Sequence, residues 1–202
     1  LTHETYPPEQ LAKLALNNNA LLLELLEGVS PAPQPEARRG NCSQALLWLA
    51  ENQPQTLLPH WEHFAACLRS ENGYSVYVAM YVIAALAAID EEGRFTAVMR
   101  DYLGLFASEK TMVAGHAIRC AGKIALACPQ YRAQIVRDLL NIEHIHRGKN
   151  MGLVVGYVIE ALEPLFDLAE NKGEIFTFVE RHSESGSPRT RKQAKAFLGK
   201  II

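Results

Sequence analysis

Apolar side chains recur along this chain at the i, i+3, i+4, i+7 steps of a helix, and prolines, glycines and asparagines interrupt them. The pattern is densest between Gly73 and Cys128. There it predicts a helix over Tyr74–Ile89 that is apolar on nearly every side, an amphipathic helix over Gly93–Ser108, and a third with mixed faces over Thr111–Ala127, capped at Thr111. Upstream, Tyr6-Pro7-Pro8 starts a helix carrying Leu11, Leu14 and Ala15, and Asn17-Asn18-Asn19 ends it. Ala20–Leu26 is a second apolar helix, stopped by Gly28. Pro31, Pro33 and Pro35 then exclude helix and leave an extended loop. Ala37–Asn52 follows with Ala45, Leu46, Trp48 and Leu49 on one face, and Pro54 opens a helix bearing Leu57, Leu58, Trp61, Phe64, Ala65 and Leu68. Downstream of Cys128, Pro129 begins a helix with Tyr131, Ile135, Val136 and Leu139. A polar loop at His144–Asn150 leads into Met151–Leu168, a short helix holds Ile175, Phe178 and Val179, and Ser187-Pro188 starts the last one. No alternating strand pattern occurs, so the expected class is all-α.

These helices pair, and the second member of each pair repeats an apolar register: Val76/Met80/Ala84, Val113/Ala117/Ala121, Val154/Val158/Leu162, Thr190/Ala194/Leu198. Their starts lie 37, 41 and 36 residues apart, inside the range of about 35–47 residues expected of stacked helical hairpins. Two segments carry a resemblance. Gln55-Thr56-Leu57-Leu58-Pro59-His60-Trp61 resembles the first helix of a HEAT unit, with a kinking proline after paired leucines. Ser187-Pro188-Arg189-Thr190-Arg191-Lys192-Gln193-Ala194 resembles the start of the second helix of such a unit. In the other units Tyr77, Ala114 and Val155 stand where the arginine would be. The chain thus resembles the HEAT/armadillo class, and is similar to small prokaryotic HEAT-repeat proteins. The resemblance implies a right-handed α-solenoid of about four to five stacked antiparallel helical hairpins. Residues 1–202 would form a single domain, with 1–36 as N-terminal capping helices and Pro-rich loop and 37–202 as repeats. One hairpin cannot bury its own apolar face, so each layer depends on the next.

Composition agrees with a packed core: 49% of the 202 residues are hydrophobic and 21% charged. The net charge of −2 does not point to nucleic acid, but it is unevenly placed. Residues 1–100 carry 6 Lys/Arg against 11 Asp/Glu, and residues 101–202 carry 14 against 11, with most of the excess after Arg181. Cys42, Cys67, Cys120 and Cys128 form no C-x-x-C pair and read as buried free thiols. Val76–Ile89 is uncharged but falls short of the roughly 20 residues that span a bilayer. With no leader-like segment ahead of the first helix, the expectation is a cytoplasmic protein with no membrane segment.

Few residues suggest chemistry. His144 and His146, beside Glu143, Arg147 and Lys149, read as an exposed loop, and no metal is expected there. Gly148, Gly152 and Gly156 suggest close helix packing rather than phosphate binding. His116, Arg119 and Lys123 share one helix face, away from that helix's core stripe. Tyr157 and Glu160 take the equivalent places on the following unit, and Tyr77 and Tyr81 offer aromatic surface on the preceding one. In solenoids of the resembled class, second helices line the concave side. These seven residues are therefore the candidate partner-binding set, since Tyr and Arg are enriched at interfaces; the alternative is a solvated face with its tyrosines packed in the core. No catalytic motif or cofactor signature occurs, and neither is expected. The functional expectation is a non-enzymatic interaction module binding a protein or peptide. HEAT-like DNA glycosylases are the enzymatic alternative, although Trp48 and Trp61 lie in the acidic half, away from the positive end.

Overall fold

A computed structural model describes residues 6–201, which fold as helices and turns with no strand among them. The chain divides into two compact units, Leu1–Val98 and Met99–Ile202.

The first unit holds α1 (Pro8–Leu16), α2 (Asn19–Gly28), α3 (Glu36–Asn52), α4 (Trp61–Cys67) and α5 (Gly73–Ala87), and the first residues of α6 (Phe95–Gly104). Local chemistry sets the helix ends. Pro8 sits in the first turn of α1, where its missing N–H costs nothing. The Asn18 side chain accepts from the Leu21 N–H at 3.1 Å and that of Asn72 from the Tyr74 N–H at 3.0 Å, capping α2 and α5. Gly93, with φ 67°, makes the turn into α6. The helix expected from Pro54 onward is broken: Pro54–Thr56 and Leu58–His60 are 3-10 turns, and α4 begins only after Pro59. A proline inside that run removes a backbone donor and cannot continue the ladder. Its apolar residues still turn inward, and Leu57, Trp61 and Phe64 are buried. α3 packs on α1, α2 and α5, and α4 packs on α5. Leu25, Leu46, Leu49, Met80, Ile83 and Leu86 fill the space between them.

The second unit continues α6, adds a 3-10 turn at Leu105–Ala107, and proceeds through α7 (Thr111–Ala127), α8 (Pro129–Leu140), α9 (Ile142–Ile145), α10 (Met151–Leu162), α11 (Lys172–Arg181) and α12 (Pro188–Ile201). α10 packs on both α7 and α12, while α8 packs on α7 and α11 on α12. Small residues permit the close α7–α10 approach: a Cβ on Gly122 would come within 2.9 Å of the Ala161 Cβ. Tyr102, Phe106, Ile118, Ile135, Leu139, Val158, Leu165 and Phe197 are buried in this unit. Complete burial of each large side chain favours folding by about 1.5–3 kcal/mol, so these contacts dominate its stability.

Three further expectations need correction. Thr111 is not a cap; it is the first residue of α7, preceded by Lys110, which makes no side-chain capping bond. Met151–Leu168 is not one helix, because Pro164 halts α10 at Leu162 and a 3-10 segment covers Glu163–Leu168. The polar stretch after His144 is not wholly exposed: His146 is buried, and its Nδ1 lies 3.1 Å from the Phe106 carbonyl oxygen. That geometry puts the ring proton on Nδ1, donating to the end of the 3-10 turn. No helix among the described residues is long and apolar enough to cross a membrane.

Candidate functional site

Three helices of the second unit converge on one tyrosine. In α7 the residues Ala114, Ala117, Ile118, Cys120, Ala121 and Ile124 are buried, which turns His116, Arg119 and Lys123 toward the other side. His116 and Arg119 are half-buried and Lys123 is exposed. α10 contributes Tyr157, only 5% exposed, and the half-buried Glu160. α12 contributes Arg189 and Gln193.

Arg119 donates from Nε and Nη2 to the two carboxylate oxygens of Glu160 at 3.1 and 3.0 Å, a bidentate pair. Its guanidinium lies 4.4 Å from the Tyr157 ring centroid, and that of Arg189 lies 4.9 Å from the same ring. Arg189 Nη2 and Gln193 Nε2 each donate to Glu160 Oε2 at 3.4 Å. One carboxylate thus holds two guanidinium groups stacked on one ring. The backbone makes room for this: a Cβ on Gly115 of α7 would meet Tyr157 Cε2 at 2.4 Å. Arg119 and Glu160 side chains are 31% and 40% exposed, so their pair contributes at most about 1 kcal/mol. Its effect is orientation; stability comes from burying the ring.

His116 titrates below the usual histidine range, first because it is partly buried and second because the Arg119 charge opposes a second cation. At neutral pH it is an uncharged donor and acceptor beside the arginine. Arg119, Tyr157 and Glu160 are therefore brought into direct contact, with His116 one turn away. Tyr77 and Tyr81 belong to the first unit, on α5, where their half-buried rings pair with centroids 5.1 Å apart. That unit also has an arginine on a tyrosine, Arg39 over Tyr74 at 4.4 Å.

Arg189 and Gln193 were not among the residues singled out from sequence. The Ser187–Ala194 segment places Arg189 at the head of a second helix, which is signal enough to align it with Leu153 of α10, one place before the Val154/Thr190 match. Its position in a basic terminal run suggested a solvated cap instead.

The other groups that drew attention have structural duties. Glu143 pairs with Arg181, and His182 Nε2 lies 3.7 Å from its other oxygen. Arg132 donates to the carbonyls of Ala125 and Leu126 at the end of α7 and of Leu168, at 2.9, 3.4 and 3.5 Å. It also borders a depression of about 320 Å3 with Arg137, Glu170 and Glu174. The four cysteines are free and buried. Burial pushes the thiols of Cys42 and Cys67 up to about 11 and that of Cys120 to about 12. Among the described residues no group of three or more His, Cys, Asp or Glu side chains could hold a metal ion. Trp61 is 3% exposed and cannot meet a ligand, and Trp48 is half-buried with Lys13 Nζ 6.0 Å from its ring.

No family model matches the chain, and no curated protein matches it. Solved structures do. A designed armadillo repeat protein in complex with the peptide (KR)4 superposes with a TM-score of 0.68 at 14% identity, over 96% of this chain and 90% of that one. A second designed armadillo repeat protein gives 0.58 at 16% identity over 96% and 92%. A third, computationally designed for modular peptide recognition, gives 0.57 at 15% identity over 95% and 90%. At these identities the likeness establishes the fold, an all-α solenoid of the armadillo/HEAT kind.

Proposed function

We propose that this protein is a binding module whose second-helix face, the concave one in the solenoids it resembles, takes an extended peptide segment of a partner protein. On the second unit the docking surface comprises Arg119 and Arg189, held over the buried ring of Tyr157 and tied to Glu160, and flanked by His116 and Lys123. Tyr77 and Tyr81 supply aromatic surface of the same kind on the first unit. The observation that carries this reading is the pair of guanidinium groups stacked on Tyr157 and tied to a shared carboxylate. Tyrosine and arginine dominate binding hot spots because they combine large contact area with directional donors. Here their geometry is set before any ligand arrives, which lowers the ordering cost of binding. Peptide binding by the designed armadillo proteins of similar fold supports the class of ligand.

Selection of a random peptide display library on the intact protein tests this. Enriched peptides should lose roughly tenfold or more in affinity on a double Arg119→Ala/Arg189→Ala variant, as truncation of hot-spot residues does. A library that yields no binders, or binders indifferent to both substitutions, sinks the proposal.

A further inference from the structure

We infer that the segment bound over Arg189 and Arg119 is acidic, with Asp or Glu side chains engaging their guanidinium groups. The inference rests on the peptide-binding reading above and adds the chemistry of the ligand.

The donors at this site outnumber the acceptors. Arg119 spends Nε and Nη2 on Glu160. Arg189 spends only Nη2, at 3.4 Å. A guanidinium carries five N–H donors in a fixed fork, so the remaining edge of Arg189 has donors to offer. Its side chain is 46% exposed, which leaves that edge open to a partner. Its Cζ lies over the Tyr157 ring, 4.9 Å from the centroid, and a guanidinium suits a carboxylate, which it binds through two parallel bonds.

Charge on the surrounding surface points the same way. Arg119, Arg189 and Lys200 stand against the carboxylates of Glu160 and Glu163. Lys200 is paired with Glu163, and Glu160 is shared by two arginines. Arg119 and Arg189 set two positive charges against the single carboxylate of Glu160, so their site keeps one positive charge. A basic peptide like the (KR)4 bound by the designed protein would have to take Glu160 from two resident arginines and sit among like charges, which costs affinity and association rate. A continuous polyanion fits less well than a peptide. Duplex DNA carries a charge about every 1.7 Å and would meet Glu160 and Glu163 within the same surface, whereas a peptide presents carboxylates at chosen positions.

Fluorescence anisotropy on the intact protein with three labelled probes separates the cases: an alternating Asp/Glu octapeptide, an alternating Lys/Arg octapeptide, and a short DNA duplex. The acidic peptide should bind best, with affinity falling as salt is raised. Arg189→Ala should weaken it roughly tenfold. Because Arg189 is exposed, its replacement should leave the circular dichroism spectrum and melting temperature unchanged. Stronger binding of the basic peptide or of DNA overturns this inference, as does acidic-peptide binding indifferent to Arg189→Ala. If neither octapeptide binds, the display library decides. Enrichment of acidic sequences supports the inference, and enrichment of basic or uncharged ones overturns it while the peptide-binding reading stands. No enrichment at all removes both.

Discussion

The cysteines illustrate how burial, above all, sets reactivity. Cys42 and Cys67 lie 3.9 Å from the carbonyl oxygens of Glu24 and Val29, close enough only for the weak bond a thiol can donate. Their titration is raised from 9.0 to about 11, and that of Cys120 to about 12, because the folded interior disfavours the thiolate. At pH 8 a thiol titrating near 11 is ionised to about 0.1%, far too little for rapid attack on a disulfide reagent. We therefore expect negligible reaction of the native protein with an aromatic disulfide at pH 8, and four equivalents after denaturation in urea; rapid native reaction would contradict the burial. The sign of the linked stability follows. The fold favours the protonated thiol, so this contribution is intact below pH 9 and is lost as pH rises through 11 to 12.

At the scale of helices, the α7–α10 contact depends on what is missing from α7. The Tyr157 ring lies where a Cβ on Gly115 would stand, and the guanidinium groups stacked on that ring limit its retreat. Gly115→Ala should therefore destabilise by about 1–3 kcal/mol, the usual cost of overpacking, despite alanine's better helix propensity. Urea unfolding measures this, and a neutral or stabilising result would show that the ring can move. Helices of this sort were legible from sequence because their buried stripes keep a helical period, as in Ala117, Cys120, Ala121 and Ile124. Their ends were less so. Pro59 reads as a kink and Pro164 is passed over, because apolar periodicity continues across a 3-10 turn and carries a linear reading on through Leu57 and Leu165. Tertiary partners were hidden altogether. Nothing near His146 announces Phe106, forty positions away, as the acceptor for its ring N–H. Arg119, Tyr157 and Glu160 could be aligned because they sit at matching places in successive repeats. Arg189 reaches the same ring from a run of charges that resembles an ordinary solvated end.

Across the whole molecule, stability in repeat folds is held by neighbouring layers rather than by one centre. Ala84 in α5 and Ala121 in α7 are both buried, with 6% and 0% exposure. Replacing either by glutamine should force a larger, polar side chain into a packed contact. We expect a lower melting temperature for each variant. Hydrogen exchange should show protection falling first in the helices packed on the substituted one: α3 and α4 against α5, α8 and α10 against α7. Unchanged melting in both variants would argue against packed neighbours at these positions. Both tryptophans, Trp48 and Trp61, lie in the first unit, and this asymmetry makes a ready optical instrument. Indole emission follows the melting of one half of the polypeptide, while the far-ultraviolet signal sums over both. The separation of the two denaturation curves is then a direct gauge of cooperativity along the chain, obtainable without any label.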